Sequence, residues 1–119
     1  MKRRGMMNFE ELPEFRKDIK SLSKKYKSIP DDLMVVKQVL EVYPDERPPF
    51  SFRISHLGID NCIIKIKKIA CRSLKGRGRN SGLRIVYAYI ETEKRIVFIE
   101  LYHKNQKANE DRERIMKYF

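Results

Sequence analysis

The apolar residues of this chain change their period halfway along, and that change restricts the fold more than any other feature. In the first half they recur at helical spacing. Phe15, Ile19, Leu22 and Tyr26 stand at i, i+4, i+7 and i+11, one stripe of an amphipathic helix over residues 12–26 with Arg16, Lys17, Lys20, Lys24 and Lys25 mostly around it. The SIPDDL stretch opens a second helix. Pro30 suits its first turn, Asp31 and Asp32 suit its positive dipole end, and Leu33, Val36, Leu40 and Tyr43 supply the stripe. Pro44, Pro48 and Pro49 end that helix and open an irregular connector to about residue 60.

The second half alternates instead. Ile64 and Ile66 are interleaved with Lys65 and Lys67, the pattern of a half-buried strand. A glycine-rich loop, SLKGRGRNSG, follows, and then two β-branched and aromatic strands, LRIVYAYI and IVFIELYHK, joined by the charged turn ETEKR. NEDRERIMKYF closes the chain as a helix, with Asn109 or Asn105 as its cap and Ile115, Met116 and Phe119 as its apolar contacts. The order is ααβββα, with room for a short leading strand at Met7–Phe9. This is an α+β domain: two N-terminal helices packed on one face of a small antiparallel sheet, and a C-terminal helix. With 119 residues and no repeat or linker, residues 1–119 form one domain that can bury about 65% of its unfolded surface.

Charge is unevenly spread. Residues 1–60 hold 12 cations and 10 acids, residues 61–90 hold 8 and none, and residues 91–119 hold 7 and 6, so the middle supplies 8 of the net +11. A concentrated basic patch is the electrostatic footprint for a polyanion such as nucleic acid, against the competing reading of a solvated basic surface. Strand alternation puts Lys65 and Lys67 on one face and Ile64 and Ile66 on the other. In the last strand Val97, Ile99 and Leu101 form one set. The simplest assembly turns that set and the isoleucines toward the helices. The opposite face is then open and cationic, presenting Lys65, Lys67, Arg84, Tyr102 and Glu100. Edge lysines also discourage strand-to-strand aggregation, so that alternative stays beside the functional one. Lys75, Arg77 and Arg79 in the glycine-interrupted loop, flanked by Arg72 and joined by Lys104, suit RNA phosphates. Tyr87 and Tyr89 fit ordinary strand aromatics.

Cys62 and Cys71 sit in apolar-flanked runs, which suits reduced, buried thiols. His56 and His103 are isolated, and no CxxC occurs, so neither a metal nor another cofactor is expected. MKRRGMM leads into polar residues, unlike a signal peptide, and no run reaches the length of a membrane span. The expectation is a cytoplasmic protein without a membrane partner.

Four segments in order resemble the RelE/ParE superfamily of toxins from toxin–antitoxin pairs. They are FRKDIKSL (Phe15–Leu22), IKIK (Ile64–Lys67), SGLRIVYAY (Ser81–Tyr89) and LYHKN (Leu101–Asn105). The long KGRGRNS loop is similar to the host-inhibition (HigB-like) branch. RelE-type members are ribosome-dependent endoribonucleases that cut mRNA and are silenced by a cognate acidic antitoxin. The resemblance therefore implies mRNA on the ribosome as substrate and a hetero-oligomer with an antitoxin. By the same resemblance Lys65 and Lys67 are the family's paired lysines, Arg84 its strand arginine, and Tyr102, His103 and Lys104 its cluster after the last strand. Nothing matches a late general-acid tyrosine, since Tyr118 lies almost at the end.

Metal-free RNA cleavage needs a base for the 2′-OH, a cation for the charge building on phosphorus, and an acid for the leaving 5′-oxygen. Lys65, Lys67 and Arg84 suit the second role. Crowding of like charges favours a neutral amine, so one of the two lysines is also a candidate base. Tyr102 and His103 are open to either proton-transfer role, and Glu100 to that of base or orienting partner. Two other classes remain: a ParE-like inhibitor of DNA gyrase, and a basic RNA-binding module without catalysis.

Overall fold

A computed structural model describes residues 6–119; the basic start of the chain lies outside the described residues. The change of period is realised as two helices followed by a sheet. Helix α1 spans Pro13–Ser23, with Leu12 extended before it and Pro13 in its first turn, where a missing N–H costs nothing. It buries Phe15 and Leu22. Helix α2 spans Ile29–Val42 and buries Leu33, Val36 and Leu40. Tyr43, expected on that stripe, falls just past the helix end and is 48% exposed. The backbone turns there ahead of Pro44, and the ring instead carries the Arg47 guanidinium 3.5 Å from its centroid.

The strands are β1 (Asn8–Glu11), β2 (Ser51–Arg53), β3 (Cys62–Ile66), β4 (Leu83–Ile90) and β5 (Arg95–His103), arranged β1-β5-β4-β3-β2. The leading strand exists and pairs parallel with β5, whereas every other pair is antiparallel, so the sheet is mixed. β2 lies inside the connector that sequence leaves irregular. Phe50, Phe52 and Ile54 alternate there, which is a strand signal too short to stand alone.

One irregularity corrects the expected faces. Ile85 faces Leu101 and Val86 faces Glu100, but Tyr87 faces Phe98, so a bulge leaves Ile99 without a partner. An extra residue moves everything beyond it to the opposite side. Phe98, not Val97, therefore joins Leu101 on the helix side, stacked on Phe15 at 5.2 Å between ring centroids. Val97 faces Ala88 on the other side.

That other side is not open. Ile63, Val86, Ala88 and Val97 are buried on it. The segment leading into helix α3 (Arg112–Tyr118) crosses this face, and the helix itself is bonded to α1. Glu110 pairs with Lys65, and the Asp111 N–H donates to Glu100 at 2.8 Å. The cap is Asp111, which accepts from the Arg114 N–H at 3.0 Å, not Asn105 or Asn109. Arg114 also donates to the Ile99 carbonyl at 2.9 Å and to Asp18 of α1 at 2.7 Å. A helix of 7 residues has little stability of its own, so these bonds and buried Ile115 hold it in place.

Phe98 is stacked or edge-packed against Phe9, Phe15 and Tyr87. Phe98→Ala is expected to lower unfolding free energy by about 3–5 kcal/mol, and Met116→Ala, on the exposed side of α3, by under about 0.5 kcal/mol. Denaturant titration of both variants checks the ordering.

Candidate nucleic-acid interface

Three strand ends meet at one edge of the molecule. Lys67 follows β3, Arg84 is the second residue of β4, and Lys104 follows β5. The loop between β3 and β4 folds back over them, pinned where the Ser81 hydroxyl donates to the Ile69 carbonyl at 2.6 Å. The result is a cavity of about 280 Å³ walled by Phe52, Lys67, Lys68, Asn80, Arg84 and Lys104, with Pro49 and Gly82. Four cations line it and no carboxylate does.

Three of the four cations are held by neutral partners. Arg84 donates Nη1 to the carbonyls of Lys67 at 3.1 Å and Leu83 at 3.2 Å, which fixes the guanidinium plane. Lys68 donates to Asn80 Oδ1 at 2.9 Å. The Lys67 ammonium stands 5.2 Å from the centroid of Phe52, which is 37% exposed. Gly82 shapes the floor at φ +91°, where a Cβ would come within 2.7 Å of His103 Nε2. Only glycine lets the chain pass there. Anchored donors around an exposed aromatic face are what a phosphate and its neighbouring base require.

The remaining expected site residues lie elsewhere. Lys65 shares a face with Phe52 and Val86, but its ammonium is bonded to Glu110 at 2.8 Å under the α3 leader. Burial alone would push its pKa down; the hydrogen bond and charge of Glu110, with Tyr102 beside it, raise it instead. The neutral amine expected of a crowded lysine is thus not found at Lys65. Tyr102 faces Arg84 across the ladder, yet it is buried and its hydroxyl has no hydrogen-bond partner among the described residues. Burial raises its pKa against the opposing pull of Lys65, keeping it a neutral phenol. Glu100, expected on an open face, is buried between the Asp111 N–H and the Lys107 ammonium.

His103 turns to the helix side, opposite Leu83. It is buried, stacked on Tyr26 at 5.9 Å, with Nε2 3.0 Å from the Ser81 carbonyl and Nδ1 accepting from the Asn105 N–H at 3.1 Å. Those two partners select the tautomer protonated on Nε2 and occupy both nitrogens. Arg72, Lys75, Arg77 and Arg79 are exposed on the loop, whose stem is clamped to α2: the Ser73 hydroxyl donates to Ser28 Oγ at 2.8 Å and the Arg72 N–H to Asp32 at 3.3 Å. Tyr118 donates to Glu14 of α1 at 2.8 Å. Cys71 is buried and Cys62 partly so. Among the described residues no three His, Cys, Asp or Glu side chains converge as metal ligands, and no helix is long and apolar enough to cross a membrane.

No family model matches the chain, and no curated protein does. Several solved chains share its architecture, among them the following two. In the archaeal RelE–RelB complex from Pyrococcus horikoshii OT3, one chain superposes at a TM-score of 0.57 and is 16% identical, over 86% of this chain and 99% of that one. A metal-bound toxin from Helicobacter pylori superposes at 0.52 and is 18% identical, over 85% and 98%. The fold is that of the RelE-type toxins.

Within this RelE-type fold, sequence reasoning missed five lining residues: Pro49, Phe52, Lys68, Asn80 and Gly82. The alternation around Phe52 was a usable signal; the return of Asn80 onto Lys68 across a long loop was not. The Lys65–Glu110 pair makes a pH-dependent contribution to stability. Burial opposes ionisation of Glu110, but its bond to Lys65 outweighs this and lowers its pKa. A depressed carboxylate stabilises the fold above its unfolded pKa and loses that contribution as pH falls through the folded value. Wild type should therefore lose stability as pH drops below 4.5 more steeply than Glu110→Gln. Urea titrations of both proteins at several pH values check this; parallel curves would remove the pair from the stability account.

Proposed function

We propose that this protein is the toxin of a toxin–antitoxin pair and that it cuts mRNA on the ribosome in the cytoplasm. The cavity at the strand ends carries the reading: Lys67, Lys68, Arg84 and Lys104 around Phe52, with no carboxylate, in a fold shared with RelE-type toxins. Arg84, Lys67 and Lys104 would grip the scissile phosphate while the base beside it stacks on Phe52. The RNA 2′-oxygen attacks phosphorus, its proton passing to a base; the 5′-oxygen leaves and takes a proton, giving a cyclic phosphate and a free 5′-hydroxyl. Charge rises on the phosphoryl oxygens in the transition state, and a fixed guanidinium is worth most there. Arg72, Lys75, Arg77 and Arg79 on the exposed loop would hold flanking RNA. An acidic antitoxin would complete a hetero-oligomer with this strongly cationic chain.

One observation favours a second reading, a basic RNA-binding module without chemistry. Lys65 is committed to Glu110, Tyr102 is buried, and both His103 nitrogens are occupied, so the expected proton-transfer groups are not displayed beside Arg84. A ParE-like action on gyrase has no such observation behind it.

Expression of the chain alone should arrest growth, and purified protein should cleave mRNA on translating ribosomes. Arg84→Ala should lower the cleavage rate by about a hundred- to thousand-fold while retaining most ribosome binding and a native circular-dichroism spectrum. Binding without cleavage in the wild-type protein would establish the second reading instead. Replacing Lys75, Arg77 and Arg79 together by Ala should flatten the log-affinity against log-salt slope for single-stranded RNA by up to about 2, at about 0.7 per lost phosphate contact. An unchanged slope would assign those side chains to solubility.

A further inference from the structure

The sheet face that carries Arg84 continues under a covered stretch. The ladder sets Tyr102 opposite Arg84 and Lys65 opposite Val86. Lys65 lies two residues before Lys67 on the same face, about 7 Å away at roughly 3.3 Å per residue. Residues 104–111, the strap between β5 and α3, cover both groups. Every residue from Lys104 to Arg114 is exposed or half-buried, and the first buried side chain after His103 is Ile115. The strap is therefore fastened by polar contacts. Glu110 bonds Lys65 at 2.8 Å, and the Asp111 N–H donates to Glu100 at 2.8 Å. Lys107 pairs with Glu100 and stands 5.1 Å from the Tyr102 ring centroid. Beneath lies a cavity of about 200 Å³ walled by Asp18, Glu100, Tyr102, Gln106, Lys107 and Arg114, among others, space that a packed core does not leave.

We infer that the strap is an autoinhibitory contact: the Glu110 carboxylate sits on Lys65 in place of an RNA phosphate, and an arriving phosphate displaces it. The inference rests on the preceding reading only in taking RNA as the polyanion, and it adds a closed and an open state of the site. Three observations select it. Glu110 is an anion bonded to a lysine two residues from a cavity that has four cations and no carboxylate. That is where the next phosphate of a strand gripped at Arg84 would arrive. The Tyr102 hydroxyl, in a residue only 3% exposed, has no hydrogen-bond partner among the described residues. Such orphans are rare in folded proteins, and a phosphate oxygen would supply the missing acceptor. Finally, contacts between charges exchange with an incoming anion, whereas an apolar clamp would be indifferent to one.

The strap can lift without unfolding the domain, because both its ends are fixed. His103 is buried at one end, and Arg114 pairs with Asp18 of α1 at the other. Opening presents beside Arg84 the Lys65 ammonium and the Tyr102 hydroxyl, the two groups that the closed state withholds. A site blocked most of the time binds its ligand more weakly, by the fraction of time it stands open.

The test uses the full chain and a fluorescein-labelled 2′-O-methyl RNA oligonucleotide, which lacks the attacking hydroxyl and stays intact. Anisotropy should show Glu110→Gln binding it at least about five-fold more tightly than wild type. Glu113→Gln, the same charge change at an exposed position of α3, should bind as wild type does. No tightening in Glu110→Gln, or equal tightening in both variants, overturns the inference. Hydrogen exchange read by mass spectrometry needs no variant. Saturating wild type with the oligonucleotide should speed exchange of the amides of residues 105–111 at least about five-fold, as the Asp111 bond to Glu100 is lost, and leave Leu101–His103 unchanged. Unchanged or slower exchange in the strap overturns the inference. A chain that cleaves mRNA, but whose Glu110→Gln variant neither binds more tightly nor cuts faster, overturns this inference alone. One whose strap opens on the oligonucleotide and whose Glu110→Gln variant binds more tightly, but which leaves mRNA intact, overturns the proposed enzyme alone.

Discussion

The β4–β5 ladder carries one irregularity, between Val86 and Tyr87, and both faces of the sheet depend on it. Without the extra residue at Ile99, Phe98 would point away from α1 and its stack with Phe15 could not form. With it, one strand supplies Leu101 and Phe98 to the helix side, and Glu100 and Val97 to the other. The bulge also leaves the Ile99 carbonyl outside the regular ladder, and Arg114 takes it up. A buried carbonyl left unpaired would cost about 1–3 kcal/mol. The position of α3 is thus tied to the same irregularity that orders the core.

Two electrostatic arrangements coexist on neighbouring parts of the sheet, separated by burial. Lys65, deeper in, has a counter-charge 2.8 Å away, because an unpaired charge there would be costly to desolvate. Lys67, Lys68, Arg84 and Lys104 sit at the edge, where water screens them and no carboxylate approaches. Three of them are anchored by neutral partners, which makes their mutual repulsion tolerable: carbonyls for Arg84, an amide for Lys68, an aromatic ring for Lys67. Such a site favours the arrival of an anion over its own empty state. The acid-free composition that makes residues 61–90 conspicuous therefore divides in space: Lys65 is used for stability, while Lys67, Lys68 and Arg84 join Lys104 around a cavity without a carboxylate.

Legibility varied with the range of the interactions involved. Helix stripes, strand alternation and the middle charge block are short-range patterns; they led to every strand and α-helix but β2, and they singled out Lys67, Arg84 and Lys104, which the fold brings to one cavity. Tyr102 and His103 are adjacent, so sequence groups them; a pleated strand sends them to opposite faces. Lys65 and Lys67 look equivalent for the same reason in reverse. They do share a face, but the α3 leader covers one and not the other. Glu110, the residue responsible, is 45 positions from Lys65, and no local pattern connects them.

Apart from β2, the sequence by itself determined the types and order of the helices and strands, because periods of 3.6 and 2 are written in which residues can be buried side by side. It also determined that the basic charge is local, since counting needs no coordinates. Only the tertiary structure decided which cations face solvent, that β1 joins in parallel, that Phe52 and Asn80 complete the cavity, and that His103 and Glu100 are buried. Those outcomes depend on a one-residue bulge and on contacts between segments dozens of residues apart. Their energies come from packing and from pairing of buried polar groups, which have no period along the chain.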